Sequence, residues 1–158
     1  MADIWPSSPI TVSDQVKQAI TRFFQIGDSS DPGSGKLFAD ELFTKDGIFK
    51  THKTLVFRGY EEIAAARESK NPITESREHE LVQVFAANSP ATDLAVFGHF
   101  KITLKERTVI QFDFTARFIV APERGEEVKF EFVEVRTDGT EYKHIFDEVS
   151  QKLASEKS

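Results

Sequence analysis

Across residues 108–121 the chain alternates without a break. Ile110, Phe112, Phe114, Ala116 and Phe118 fall on one parity, and Val109, Gln111, Asp113, Thr115 and Arg117 on the other. Only an extended strand puts every second side chain on one face, so this stretch reads as a long strand with its phenylalanines turned inward. A face that large has to be covered by something equally apolar. The chain has the means, with 15 Phe against two Tyr and one Trp. At 158 residues, 39% hydrophobic and 29% charged, it is long enough for one domain whose core needs no staples. With no Cys, thiol catalysis, disulfides and cysteine metal sites are excluded. A net charge of −6 argues against a surface that tracks phosphates, so no nucleic-acid partner is expected.

The neighbouring segments 78–87, 94–104 and 128–136 are also rich in Val, Ile, Phe and Thr. Short connections at Asn88-Ser89-Pro90, Lys105-Glu106-Arg107 and Pro122-Glu123-Arg124-Gly125 predict hairpins, hence an antiparallel meander. The first half is mostly helical. Ser13 offers an N-cap, or Thr11 and Asp14 a capping box, ahead of Val16, Ala19, Ile20, Phe23 and Phe24 on one helical face. The Asp-, Ser-, Pro- and Gly-rich residues 27–35 stop that helix, and a short second one carries Leu37, Phe38, Leu42 and Phe43 on its apolar side. Asp46-Gly47 predicts a turn, and 48–57 a strand with Phe49, Thr51, Leu55 and Phe57 on one parity. Residues 60–67 predict a helix with acids in its first turn and Arg67 and Lys70 in its last, as the helix dipole favours.

Ile145, Val149 and Leu153 predict a closing helix over 142–153. The expected organisation is an irregular arm over 1–10, one domain over 11–153, and a frayed tail over 154–158. Helices segregated from an antiparallel sheet make the fold class α+β. The N-terminus lacks the basic-then-apolar pattern of a secretory signal, and no apolar run approaches the roughly 20 residues of a membrane helix. A cytoplasmic protein without a membrane partner is expected.

Several local patterns resemble the SnoaL-like branch of the nuclear-transport-factor-2-like superfamily. They are Phe43-Thr44-Lys45-Asp46-Gly47-Ile48-Phe49, Phe57-Arg58-Gly59-Tyr60-Glu61-Glu62-Ile63, Arg77-Glu78-His79-Glu80-Leu81, Val96-Phe97-Gly98-His99-Phe100 and Phe112-Asp113-Phe114-Thr115-Ala116-Arg117-Phe118. Together they span roughly residues 13–138, in the order α-α-β-α-β-β-β-β. The resemblance implies a cone: a curved antiparallel sheet wrapped on helices around an apolar pocket. It also implies cofactor-independent isomerases, dehydratases or cyclases acting on a small hydrophobic metabolite, beside non-catalytic ligand binders. Homodimers through the outer sheet face are common in such a group. Fold alone does not choose among these.

His79 shares parity with Leu81, Gln83 and Phe85, and matches a histidine that recurs on this family's pocket-facing strand. An imidazole titrates near neutrality and can move a proton on a small ketone or alcohol, although a half-buried structural His is also common. Continuing the parity of Val128, Phe130 and Phe132 puts Glu134 at the end of the inner stripe. Desolvation there would raise its pKa and suit it to general acid–base work, unless the sheet has reached solvent or an Arg pairs with it. Asp138 lies where many SnoaL-like cyclases carry an Asp, and Thr137-Asp138-Gly139-Thr140 is equally a turn. His79, Glu134 and Asp138 are the catalytic candidates. Phe23, Phe49, Thr51, Phe112, Phe114, Phe118, Phe130 and Phe132 are the expected ligand-lining residues. Asp113 and Arg117 belong to the outer face, and His99 has no evident partner.

Two specific chemistries of the family find no counterpart. Thr51 stands near the carboxylate base of ketosteroid isomerases, and Phe23 and Phe24 near the pocket tyrosines of scytalone dehydratase. The four His, at 52, 79, 99 and 144, show no ligand spacing, so neither metal nor cofactor is expected. The leading expectation is acid–base catalysis. The alternatives are a hydrophobic-ligand binder without catalysis and a dimeric interaction module.

Overall fold

A computed structural model describes residues 5, 8–51, 54–68, 72–122, 125, 127–137 and 139–157, leaving aside the side chains of 68 and 139–142. Its elements run α1 (Asp14–Asp28), α2 (Ser34–Leu42), β1 (Phe43–Thr51), β2 (Leu55–Arg58), α3 (Gly59–Glu68), β3 (Thr74–Ala86), β4 (Asp93–Leu104), β5 (Val109–Val120), β6 (Phe130–Thr137) and α4 (Gly139–Glu156). The six strands form one sheet in the order β2-β1-β6-β5-β4-β3. The fold class is α+β, and the order of elements follows the sequence reading. The sheet is mixed, because β1 returns beside β6 in parallel while every other pair is antiparallel. Those two strands belong to opposite ends of the chain, and parallel neighbours need such a long connection.

Local chemistry explains most boundaries. Ser13 caps α1, its hydroxyl accepting from the Val16 N–H at 3.3 Å. Val16, Ile20, Phe23, Phe24 and Ile26 are its buried face. On β5, Ile110, Phe114, Ala116 and Phe118 are buried and Phe112 half-buried, with Gln111, Asp113 and Arg117 exposed opposite them. That alternation is the one expected. Asp113 meets His99 at 2.8 Å and Arg117 meets Asp93 at 2.8 Å, so both outer-face residues have strand neighbours as partners.

Four expectations need correction. Asp46-Gly47 does not separate helix from strand; it lies inside β1, where the register jumps between Phe43 and Ile48 and the extra residues bulge. The stretch 48–57 is a hairpin, with Phe49 facing Phe57 and Thr51 facing Leu55. The terminal helix continues through Ala154 and Ser155 to Glu156, so most of the expected tail is helical. Leu37, placed on the apolar side of α2, is 45% exposed, while Phe38, Ala39 and Leu42 carry that helix's burial.

Two clusters fill the concave side. The larger joins α1, α2 and α3 to the sheet through Phe23, Phe38, Phe118 and Phe130, with ring centroids 4.8 Å apart for Phe23–Phe38 and 5.0 Å for Phe118–Phe130. The smaller packs Val149 of α4 with Ile73, Ile102, Leu104 and Ile110. Phe100 touches both clusters. Among the described residues, no helix is long and apolar enough to cross a membrane.

Candidate active site

His79 sits on the concave face of β3, level with Phe100 on β4, which in turn pairs with Phe112 on β5. Its ring stacks on Phe100 at 4.0 Å with a 19° interplanar angle, and the edge of Phe114 closes another side at 5.0 Å. These neighbours fix the imidazole plane. A carboxylate fixes its rotation. Asp28, the last residue of α1, meets His79 Nδ1 at 2.5 Å through Oδ1 and accepts the His79 backbone N–H at 2.9 Å through Oδ2. An ionised carboxylate only accepts, so Nδ1 carries the proton in this pair, and in a neutral ring the lone pair is then on Nε2. The side chains are 13% and 23% exposed, so the contact is shielded without being sealed.

Asp28 was not among the sequence candidates. An acid in the last turn of a helix opposes the helix dipole, and α1 has no basic residue there to offset it. The offset comes from elsewhere in the fold. Arg67 of α3 is 9% exposed, donates to the Gly27 carbonyl and lies 6.0 Å from the centre of the Phe38 ring. Burial, helped by the charge of Arg77, pushes its pKa down to about 10, while Asp28 works in the other direction. Arg77, half-buried two residues before His79, is also lowered by burial and supported by Asp28. A cavity of about 30 Å³ opens here between Asp28, Ser29 and Ser30 on one side and Thr74, Ser76 and Arg77 on the other.

No family model matches the sequence, and no curated protein matches it. Solved structures do match. ActVI-ORFA from Streptomyces coelicolor is 15% identical, covers 80% of this chain and 96% of its own, and superposes with a TM-score of 0.64. A candidate SnoaL-like polyketide cyclase from Jannaschia sp. CCS1 is 15% identical over 85% of this chain and 91% of its own, at 0.61. Nuclear transport factor 2 from Cryptosporidium parvum is 18% identical over 82% and 99%, at 0.58. The fold is that of the nuclear-transport-factor-2-like superfamily. Identity this low shows the fold alone, so the chemistry of this chain rests on its own residues.

Glu134, the other catalytic candidate among the described residues, is not brought to His79. Glu134 bonds Arg136 at 2.8 Å and Lys50 at 3.2 Å, on the outer face opposite Arg117. The parity that placed it inward is broken by a bulge. Val120 pairs with Phe130 but Ile119 pairs with Phe132, so Glu131 is an extra residue and the faces exchange beyond it. Val133 becomes the fully buried residue, and Phe132 joins Ile119 and Ile48 outside. Burial alone would raise the Glu134 pKa, but the bonds and charges of Arg136 and Lys50 outweigh it and the net shift is downward. Asp138 lies outside the described residues.

Of the ligand-lining candidates, Phe23, Phe49, Phe114, Phe118 and Phe130 are buried in ring-to-ring contact within the larger cluster. Phe112 is half-buried and meets Phe100 edge-on at 4.9 Å, one position from the His79 stack. Thr51 is half-buried at the end of β1 beside Val135. Among the described residues, no three His, Cys, Asp or Glu gather as a metal-ligating group.

Proposed function

We propose that this chain is a cofactor-independent isomerase, dehydratase or cyclase that moves a proton on a small, largely hydrophobic metabolite. The observation that carries the reading is the Asp28–His79 pair. A base whose second nitrogen is held by a carboxylate, and whose ring plane is held by aromatics, is ready to take a proton at Nε2 and return it elsewhere. Asp28 takes the partner role first given to Glu134. The substrate would lie against Phe100 and Phe112, where apolar walls strengthen each polar contact. The test is deuterium uptake, followed by NMR, from a panel of small enolisable ketones and β-hydroxy ketones in D₂O. Uptake or dehydration above the buffer rate is expected for at least one compound. Incorporation at the buffer rate throughout would leave the hydrophobic-ligand binder as the better reading.

A second reading, the dimeric interaction module, draws on the outer sheet face. Phe85 and Phe97 are 50% and 43% exposed and meet each other edge to face at 5.7 Å. An apolar centre rimmed by Lys101, Asp113 and Arg117 suits a second copy of the same chain. Light scattering is expected to give a dimer for the native chain and a monomer for Phe97→Glu. A native monomer at micromolar concentration would remove the pairing from either reading.

A further inference from the structure

We infer that the cleft beside the Asp28–His79 pair is built to take a single carboxylate, with Arg77 as its donor, so that the substrate class is small apolar carboxylic acids. The inference rests on the proton-transfer reading for its chemistry, but not for its binding. Arg77 and His79 are two apart on β3, paired with Ile102 and Phe100, and so project from the same concave face. The guanidinium of Arg77 makes no hydrogen bond or ion pair with any described residue; Asp28 acts on it only through space. Both oxygens of Asp28 are already committed to His79. Arg67, more than nine-tenths buried, donates to Gly27 and to no other described acceptor. The half-buried Arg77 guanidinium therefore keeps donors that a ligand in the cleft can complete.

The sign and size of the site choose the ligand. Asp28 is engaged by His79, so Arg77 is the cation of the cavity lining that is left to meet an anion. Glu75 also borders the cleft, but it is exposed and solvated at the rim. One guanidinium matches a monoanion, whereas a phosphate dianion would bring a second negative charge close to Asp28. A cavity of about 30 Å³ admits a headgroup of a few atoms. The planar fork of an arginine matches a carboxylate with two parallel bonds. Ser29 adds to this: its Oγ already accepts from the Asp31 N–H at 3.1 Å, which leaves its own proton to donate. On the neighbouring strand, the half-buried Phe100 stands beside His79 and gives the site an apolar neighbour.

The experiment is a titration of the full-length protein with benzoate and with its uncharged analogue benzyl alcohol, followed by amide NMR and calorimetry. Benzoate is expected to bind about tenfold or more tightly than benzyl alcohol, shifting the resonances of Arg77 and Ser29. Arg77→Gln is expected to erase that preference, and Arg77→Lys, which keeps the charge but not the fork, to restore part of it. Equal affinity for the two compounds in the native protein overturns the inference, and does so even if Arg77→Gln fails to fold. So does undiminished benzoate binding by a folded Arg77→Gln, or inorganic phosphate displacing benzoate at lower concentration. Deuterium uptake is scored separately. Benzoate bound by a protein that exchanges nothing sustains the subsite and rejects only the proton-transfer reading.

Discussion

Asp28→Asn is expected to slow proton transfer by about 10²–10⁴-fold, close to the loss produced by His79→Ala. The substitution changes almost no volume. The Asn oxygen can still accept the backbone N–H of His79, which Asp28 accepts at 2.9 Å. The difference falls on the other contact, where Asp28 faces Nδ1 at 2.5 Å. An amide NH₂ turned toward that nitrogen makes it accept, which moves the ring proton to Nε2 and removes the lone pair that takes a proton from substrate. His79→Ala removes the base outright, and also the ring that stacks on Phe100. The two variants should therefore differ in stability more than in rate. Asp28→Asn exchanges a charge-assisted bond for a neutral one, a cost of about 1–2 kcal/mol, whereas His79→Ala also opens space beside Phe100. Deuterium uptake by NMR gives the rates, and thermal melts show that both proteins are folded. Native turnover by a folded Asp28→Asn would remove Asp28 from the mechanism and leave His79 acting alone.

How far the sequence reveals this site depends on the range over which each residue's neighbours are set. The β5 stripe is legible because a regular strand between two others carries its parity with it, and Phe114, Ala116 and Phe118 are buried as the alternation requires. The Ser13 cap and the inner face of α1 are legible for the same local reason. Glu134 was misplaced because the bulge at Glu131 is a mismatch between two strands, and neither strand shows it alone. Asp28 reads as part of a helix stop, since its contact with His79 spans 51 residues. One clue was present: an acid closing a helix against its dipole needs a cation or an imidazole nearby. Arg67 was also within reach, because it falls one turn after Ile63 and beside Ala64, on the side of α3 that is buried. A cation in the last turn of a helix also reads as compensation of the dipole, which hides its place on that face.

Gly98→Ala is expected to destabilise the protein by about 3 kcal/mol, lowering Tm by roughly 6–12 °C for a domain of this size. The reason is space and not backbone freedom, since Gly98 is not among the residues with positive φ. Gly98 lies between Leu81 of β3 and Phe114 of β5, beside the irregularity where the register slips between Leu81 and Gln83. A Cβ there would stand 2.1 Å from the Glu80 carbonyl oxygen and 2.7 Å from the Phe114 ring. The ring has nowhere to go, because Phe114 is 3% exposed and packs on Phe24 and His79. Relief requires β3 to move, and β3 carries both His79 and Arg77. Gly27→Ala is the control: its Cβ meets nothing within 4 Å, and Ala favours the helix. It should melt at or above the native temperature. A Gly98→Ala protein that matches it would mean that β3 yields at little cost, and that the geometry of the His79 site is softer than its packing implies.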